Sequence, residues 1–224
     1  MKGYLFDTHI HTKESSTCGQ VPAAQIVERY KALGYNGIII TDHMSGHNLR
    51  NRGETYEEKI NGFLSGYRAA KALEDENFAV ILGMEIRFQD YDNDYLVYGF
   101  DEEFLFAHDF INSFETVESF MPFAKEHNLI IFQAHPFRCD ITIIEPGLVD
   151  GIEVYNGHGG HDSRNDIAYR WAQKYSLPML SGSDYHYTTD MEPGGVYFEE
   201  YVRDSFAVAK AIRDGRYSLK IYTE

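Results

Sequence analysis

The sequence predicts an α/β fold on a mostly parallel sheet, and three observations lead to that prediction. Short apolar segments alternate with helix-like segments along nearly the whole chain. The apolar segments are almost continuous, which is typical of strands buried on both faces. No repeat, low-complexity tract or linker divides the chain, so we expect one domain over residues 1–224. So many strand–helix units favour a closed or nearly closed barrel over an open sheet.

The elements follow one another with clear boundaries. A strand is predicted at residues 4–9 and a helix at 22–33, where Pro22 opens the helix and Gly34 follows its end. Further strands are predicted at residues 37–41, 79–86, 94–100, 129–135, 151–156, 177–184, 196–201 and 217–222. Further helices are predicted at residues 56–74, 115–127, 164–175 and 204–213, and a polar turn at 90–93.

Composition narrows the functional classes. Hydrophobic residues make up 43% and charged residues 25% of the chain, a balance typical of globular proteins. The net charge of −15 disfavours binding to long nucleic acid or to an anionic membrane. The first residues do not read as a signal peptide, and no apolar stretch is long enough to span a membrane. Cys18 and Cys139 have no paired-motif spacing, so we expect a cytoplasmic protein without a disulfide scaffold.

Candidate metal ligands occur where the predicted strands end. In a parallel barrel, the carboxyl ends of all strands share one rim, which carries the active site. The residues at these ends that could bind a metal are His9, His11, His43, Glu85, His135, Asp184 and His186. By contrast, His108 and His127 fall near predicted helix ends, where we expect structural roles.

The chemistry of these side chains indicates more than one metal ion. Alternate residues of a strand point to the same side, so His9 and His11 can bind one ion together. Glu85 can bridge two ions through its two oxygens. Imidazoles with a few carboxylates suit Zn²⁺, Mn²⁺ or Fe²⁺ better than Mg²⁺ or Ca²⁺. The set is too large for one closed structural zinc site, so we expect two or three divalent transition-metal ions.

The segments "DTHIHT", "ITDH", "GMEI", "AHPFR" and "GSDYH", in this order, resemble the PHP (polymerase and histidinol phosphatase) family. The resemblance implies a distorted (βα)7 TIM-like barrel and a metal-dependent phosphoesterase. It implies a first ion bound by His9, His11, Glu85 and Asp184. A second ion would be shared by Glu85 and held by His135, and a third would use His43 and His186.

Two positions depart from the family pattern. Cys18 precedes Gly19 where the family often has Asp or His, and its thiolate could bind zinc or its thiol could simply be buried. The family commonly has a further histidine between the glutamate and the His-Pro motif. This chain has "NDYLVYG" there, so Asp94 could replace the histidine as a ligand, or Tyr95 could simply pack.

These residues predict hydrolysis of a phosphate ester by a metal-activated hydroxide. The predicted catalytic residues are His43, Glu85 and Asp184, which act as metal ligands. Arg138 and Arg87 follow two of the strand ends and could bind phosphate oxygens.

Two polar loops could shape the same pocket. The glycine-rich segment 155–165 could contribute Asn156, His158, His161 or Arg164, and of these His158 is our predicted substrate-binding residue. The loop at 44–54, which carries His47, Arg50 and Arg52, could be a lid or a substrate-selecting element.

Two alternatives to the phosphoesterase hypothesis remain open at this point. One is an amidohydrolase-type enzyme that cleaves a C–N bond, and the other is a non-catalytic PHP-like regulatory module. Within the phosphoesterase hypothesis, the expected partner is a small phosphorylated substrate such as histidinol phosphate or a nucleotide. The sequence does not predict the oligomeric state.

Overall fold

The computed structural model describes residues 3–89, 92–110, 113–189 and 194–221. The strands are β1 (Tyr4–Ile10), β2 (Gly37–Ile40), β3 (His43–Met44), β4 (Ala79–Leu82), β5 (Met84–Arg87), β6 (Asp94–Tyr98), β7 (Ile130–Gln133), β8 (Gly151–Asn156), β9 (Met179–Gly182), β10 (Gly195–Phe198) and β11 (Tyr217–Lys220). The helices are α1 (Ala23–Ala32), α2 (Gly46–Leu49), α3 (Tyr56–Lys71), α4 (Glu102–Ala107), α5 (Val117–Glu126), α6 (Asn165–Tyr175) and α7 (Ser205–Arg213). Part of the predicted turn, at residues 90 and 91, lies outside the described residues.

The strands form two mixed sheets. One has the order β11-β10-β1-β2-β4 and the other the order β3-β5-β6-β7-β8-β9. Strands β6, β10 and β11 run antiparallel to their neighbours, whereas the pairs β1–β2, β2–β4, β3–β5, β7–β8 and β8–β9 are parallel. The α/β fold is confirmed, and where a mostly parallel sheet was predicted, both sheets are mixed, with five parallel and four antiparallel pairs among the described strands. The strand pairs of the described residues form two sheets, so a closed seven-stranded barrel is not confirmed.

The two sheets meet where β1 and β9 end. Ile10 forms a parallel bridge with Tyr185, and the amide of His11 donates to the carbonyl of Tyr185 at 3.1 Å. The Thr8 hydroxyl donates to the carbonyl of Ser181 at 2.9 Å. This junction brings His9 and His11 beside the segment that carries Asp184 and His186.

A second junction lies at Gly83, between β4 and β5. The predicted strand at 79–86 is divided here, and its halves belong to different sheets. The Gly83 amide donates to the carbonyl of Ile40 at 2.8 Å, and the Glu85 amide donates to the carbonyl of Asp42 at 3.2 Å. Apolar periodicity alone does not reveal such a division, because both halves are buried.

The helices cover the sheets, and all of them except α1 and α6 begin at a side-chain cap. Thr55 and Glu58 form a capping box at α3, and Asp204 accepts the amide hydrogen of Ala207 at α7. Buried apolar residues of α1 and α3, including Ile26, Tyr30 and Ala70, form one core cluster with residues of β1, β2 and β4. Among the described residues, no helix is long and apolar enough to cross a membrane.

Candidate metal centre

The two histidines of the N-terminal motif face each other in the interior of the molecule. Both are fully buried, and their Nε2 atoms lie 3.1 Å apart. Asp184 Oδ1 is 3.3 Å from each of these nitrogens. Glu85 contributes Oε1 at 3.3 Å from His9 Nε2 and Oε2 at 3.2 Å from His11 Nε2. Two imidazoles and two carboxylates therefore converge on one buried point.

Hydrogen bonds on the far side of each ring fix the tautomers. His9 Nδ1 lies 2.9 Å from Glu153 Oε1, and a carboxylate can only accept, so Nδ1 carries the proton. His11 Nδ1 lies 3.1 Å from the hydroxyl of Ser16, which donates to Asp42 at 2.6 Å and can accept from the ring. Both Nε2 atoms thus face each other and the carboxylates, and they are the nitrogens left to bind a cation together.

A buried atom of Glu85 gives a second indication of a cation. Among the described residues, no group meets Glu85 Oε2 in hydrogen-bond geometry, although His43 Nδ1 lies 2.8 Å from it. Buried polar atoms normally have hydrogen-bond partners, and an orphaned carboxylate oxygen among imidazoles is typical of a metal ligand. The residues present therefore fit the metal ions that the resemblance implies.

The remaining predicted ligands surround this point. The strand register of β3 and β5 pairs His43 with Glu85, and His135 Nε2 lies 3.2 Å from Glu85 Oε1. His186 Nδ1 is 3.2 Å from Asp184 Oδ1. The structure thus brings all seven predicted ligands into one connected cluster. Three sets within it have donor atoms close enough to share an ion: His9, His11 and Glu85; His43, Glu85 and Asp94; and His11, Cys18, His43 and His186.

Cys18 lies at the edge of the cluster that is nearer to solvent. Its Sγ is 3.0 Å from His186 Nε2. Burial raises the pKa of the Cys18 thiol, but hydrogen bonds with His186 and His43 outweigh burial and lower the pKa to about 5. A thiol in this environment is readily converted to the thiolate, the form that binds metals.

Asp94 is close enough to the cluster to bind an ion, but Arg87 already contacts both of its oxygens. Arg87 Nε and Nη2 donate to the two carboxylate oxygens at 2.7 and 2.6 Å. This bidentate pair raises the pKa of Arg87 and compensates the charge of Asp94, which is 1% exposed. Arg87, predicted to bind substrate, therefore also has a structural partner.

The charges of the cluster perturb one another strongly. Burial lowers the pKa of His9, but the carboxylates of Asp184, Glu153 and Glu85 outweigh it and raise the pKa well above the usual value. Burial raises the pKa of Asp184 and Glu85, but the neighbouring imidazoles hold both pKa values well below the usual range. In the absence of metal, the raised pKa of His9 therefore favours its protonated form, and an incoming cation must displace that proton.

Two adjoining cavities open onto the cluster. The inner cavity, about 280 Å³, is lined by the predicted substrate-binding residues Arg87, Arg138 and His158, together with metal-ligand candidates of the cluster. The outer cavity, about 530 Å³, shares Cys18, His43 and Arg87 with it. The structure thus gathers the three predicted substrate-binding residues over the cluster, and their role in binding stays a prediction.

The two polar loops contribute to these walls in different ways. His47 and Arg50 of the 44–54 loop line the outer cavity, whereas Arg52 donates to the carbonyls of Glu14 and Ser15 and anchors that segment. In segment 155–165, His158 and His161 line the inner cavity. The exposed Arg164 instead stands at the start of α6.

Sequence reasoning missed the residues that orient the ligands. Glu153 contacts His9, accepts the amide hydrogen of His135 at 2.9 Å and accepts from Asn156 at 2.9 Å. Asp42 accepts from Ser16 and from both the amide and the hydroxyl of Thr12. The sequence pattern that could have revealed Glu153 is an acidic residue inside an otherwise apolar strand, as in "GIEVYN". A buried strand tolerates an acidic side chain only when that side chain has a partner.

Comparisons with known proteins agree with this geometry at the level of family and fold. No curated protein matches the sequence significantly. Among solved structures, PsfC from Pseudomonas syringae PB-5123 superposes with a TM-score of 0.69 at 19% identity, covering 94% of this chain and 88% of that one.

Two further structures illustrate the range of similar folds. A two-domain protein from Bacteroides vulgatus ATCC 8482, whose name predicts a PHP-like metal-dependent phosphoesterase, has a TM-score of 0.62 at 17% identity, covering 98% of this chain and 65% of that one. An amidohydrolase from Chromobacterium violaceum has a TM-score of 0.50 at 14% identity, covering 92% and 96%. At these identities the structures support the fold alone. The family model for the PHP domain matches residues 7–192, and the chain therefore belongs to the PHP domain family.

Proposed function

We propose that this protein hydrolyses a phosphate ester of a small molecule with two or three bound divalent transition-metal ions, Zn²⁺, Mn²⁺ or Fe²⁺. The observation that carries the proposal is the buried convergence of His9 Nε2, His11 Nε2 and Asp184 Oδ1 within 3.3 Å of one another. This convergence leaves an orphaned oxygen of Glu85 beside it. Such a donor set is costly to bury without a cation.

The bound ions would polarise the phosphoryl oxygens and activate a water molecule. The chain's own residues hold and orient the ligands. Glu85 directs Oε1 toward His9 and His135, and Oε2 toward His11 and His43, so it can serve two ions. Glu153 and Ser16 keep the Nε2 lone pairs of His9 and His11 directed inward. We assign His43, Glu85 and Asp184 to catalysis in this sense, as ligands beside the reacting phosphate.

Arg138 is our principal phosphate-binding residue. It lines the inner cavity, and a guanidinium group can donate two parallel hydrogen bonds to phosphate oxygens. His158, on the same wall, can donate a further hydrogen bond. Arg87 contributes positive charge to the cavity while its Nε and Nη2 donors remain on Asp94.

The outer cavity supports a compact substrate with a partly apolar leaving group. Phe110 and Phe114 form an apolar part of its wall, and Arg50 and His47 can compensate additional negative charge. A cavity of about 530 Å³ is in the size range of small-molecule sites. Substrates such as histidinol phosphate or a mononucleotide meet these requirements, whereas the net charge of −15 disfavours long nucleic acid.

The test combines metal content with hydrolysis. We expect elemental analysis of the metal-loaded protein to find two or three transition ions per chain, and an aryl phosphate to be hydrolysed only when they are present. The His9→Ala/His11→Ala double variant should lose the first ion and nearly all hydrolysis. His108→Gln, which changes a histidine packed among aromatic rings away from the cluster, should retain both. A folded protein that takes up no Zn²⁺ or Mn²⁺ contradicts the proposal.

The similarity in fold to an amidohydrolase justifies one additional assay. A matched pair of aryl amide and aryl phosphate substrates separates C–N from P–O cleavage on the same loaded protein. Faster turnover of the amide would favour the amidohydrolase alternative. Full metal occupancy with hydrolysis of neither substrate class would favour the non-catalytic regulatory module.

A further inference from the structure

We propose that Cys18 is a metal ligand through its sulfur, and that with His43 and His186 it forms a thiolate-containing site at the edge of the cluster. The proposal rests on the function proposed above only in requiring that ions bind. The sulfur donor makes this site different from the one at His9, His11 and Asp184, where all donor atoms are nitrogen or oxygen.

The donor atoms are arranged for a shared ion. Cys18 Sγ and donor atoms of His11, His43 and His186 all lie within 4.8 Å of one another. His186 Nδ1 lies 2.8 Å from the carbonyl of Asp184, which can only accept, so that nitrogen carries the proton. His186 Nε2 is therefore the nitrogen left to bind a metal, and it faces Cys18 Sγ, 3.0 Å away. The orphaned Oε2 of the buried Glu85 is also close to this set, at 2.8 Å from His43 Nδ1.

The backbone around Cys18 is held firmly in place. The Thr17 amide donates to the side chain of Asn48 at 2.9 Å, and the Gln20 amide donates to the carbonyl of His186 at 3.0 Å. Gly19 approaches the carbonyl of Thr12 so closely that an added Cβ would lie 2.5 Å from the oxygen. Glycine is therefore required next to Cys18, and the resulting tight turn directs the cysteine into the cluster rather than leaving it on a free loop.

The alternative oxygen ligand, Asp94, is already engaged. Its two oxygens accept from Arg87 at 2.7 and 2.6 Å, and releasing them would leave a buried charge pair broken. Within the part of the chain that the structure describes, the Cys18 sulfur instead contacts the imidazoles of His186 and His43, which can share an ion with it. Of the two departures from the family pattern, we therefore assign the ligand role to Cys18.

A thiolate changes which metal the site prefers. Soft sulfur ligands favour Zn²⁺ and Co²⁺ over Mn²⁺ and Mg²⁺, which prefer oxygen. Cys18→Asp should therefore shift the preference of this site toward Mn²⁺, whereas Cys18→Ser should weaken Zn²⁺ binding there by at least about tenfold.

The decisive experiment uses Co²⁺ as a spectroscopic probe. We expect Co²⁺ titration of the full chain to produce a near-ultraviolet sulfur-to-cobalt charge-transfer band. Cys18→Ser should abolish the band and remove one ion per chain. Cys139→Ser is the matched control, because Cys139 is exposed, and it should leave the band intact. Circular dichroism and thermal melting of each variant establish that it is folded.

Thiol accessibility gives a second readout that is independent of activity. Without metal, a thiol-reactive dye should modify Cys18 and Cys139, and saturating Zn²⁺ should protect one thiol in the wild type and in Cys139→Ser but none in Cys18→Ser. A protein that binds Co²⁺ and hydrolyses phosphate esters without the band overturns the thiolate site alone. A folded protein that binds no ion overturns both this proposal and the proposed function.

Discussion

At the scale of single residues, metal binding depends on the position of protons, and groups outside the ligand set fix that position. His9 and His11 can bind a cation only while their Nδ1 atoms carry the hydrogen, and Glu153 and Ser16 enforce that state. Two ligands also adopt strained backbone conformations: His135 has φ 29° and Asp184 has φ 51°. Such non-glycine conformations cost about 1–3 kcal/mol each, and they are concentrated at functional sites.

Glu153 gives the first prediction at this scale. Glu153→Ala removes the acceptor of His9 Nδ1 and of the His135 amide, so both ligands lose their orientation. We expect metal affinity to fall by about 10–100-fold, the usual effect of removing a group that orients a metal ligand. A chelator-competition titration measures this loss. Glu145→Ala, at an exposed position, is the control and should bind metal like the wild type. Equal affinities for Glu153→Ala and the wild type would show that His9 is oriented by other groups.

Arg138 gives a second prediction. Arg138→Met should raise the KM for an aryl phosphate by about 10- to 150-fold, because one charge-assisted phosphate contact contributes roughly 1.5–3 kcal/mol. The metal content should not change, because Arg138 is not a proposed metal ligand.

Arg87→Met is the contrasting variant. It leaves the buried Asp94 without its partner and should also lower the stability of the protein. Steady-state kinetics with elemental analysis separates the two effects, and an unchanged KM for Arg138→Met would remove Arg138 from the substrate site.

At the scale of elements, the sequence predicts most helices and strands, but it does not predict the shortest elements or the direction of every strand. The long helix α3 has a clear helical period, the buried β2 and β8 are short apolar runs, and all three agree closely with expectation. The short elements β3, α2 and α4 were missed because two to six residues show too little periodicity. The antiparallel direction of β6 was also missed, since strand direction depends on pairing that the alternation of apolar residues does not encode.

Helix α3 supports the metal centre through a close contact at Gly66. A Cβ added there would lie 1.9 Å from Thr12 Oγ1 and 2.9 Å from Asp42 Oδ2, two buried groups that hold the segment after β1. In an ordinary helix, Gly→Ala would stabilise by about 1 kcal/mol.

Gly66→Ala should instead destabilise the protein by about 1–3 kcal/mol, because overpacking outweighs helix propensity. Urea denaturation measures the change in the free energy of unfolding. Gly46→Ala, in α2, meets nothing within 4 Å and is the matched control, which should be nearly neutral. A stabilised Gly66→Ala variant would show that the Thr12–Asp42 contact is readily displaced.

At the scale of the whole molecule, the metal centre lies where the two sheets meet, so metal binding is coupled to stability. A ligand that binds only the folded state at a concentration 1,000-fold above its Kd stabilises by about 4 kcal/mol. For a chain of this length, that corresponds to a Tm increase of roughly 8–16 °C. Chelation should reverse the increase, as measured by thermal melting. A Tm that is insensitive to chelator would contradict binding at this junction.

Metal binding should also release protons. The carboxylates around His9 raise its pKa well above the usual value, and Asp184 raises the pKa of His186 to about 11 against the effect of burial. At neutral pH these imidazoles are protonated in the metal-free protein, so binding displaces protons and metal affinity falls as the pH is lowered. Calorimetric titration in buffers of different ionisation enthalpy counts the released protons. A binding enthalpy that is independent of the buffer would contradict this charge state.

The sequence predicts the metal ligands better than it predicts the sheet around them, for a physical reason. His9 with His11, and Asp184 with His186, stand in local pairs beside strand ends, and the register of β3 and β5 joins His43 to Glu85. Ligands that are close in sequence can therefore be identified even where the strand direction is predicted incorrectly. The orienting residues Glu153 and Asp42 act across long stretches of sequence, at contacts that only the folded chain creates.

Anomalous X-ray scattering from crystals of the full chain grown with Zn²⁺ tests the metal centre most directly. We expect one strong peak among His9, His11, Glu85 and Asp184, and a second beside Cys18, His43 and His186. Crystals of the folded protein with saturating Zn²⁺ and no anomalous peak within the cluster would contradict this expectation, and would leave these histidines as structural residues.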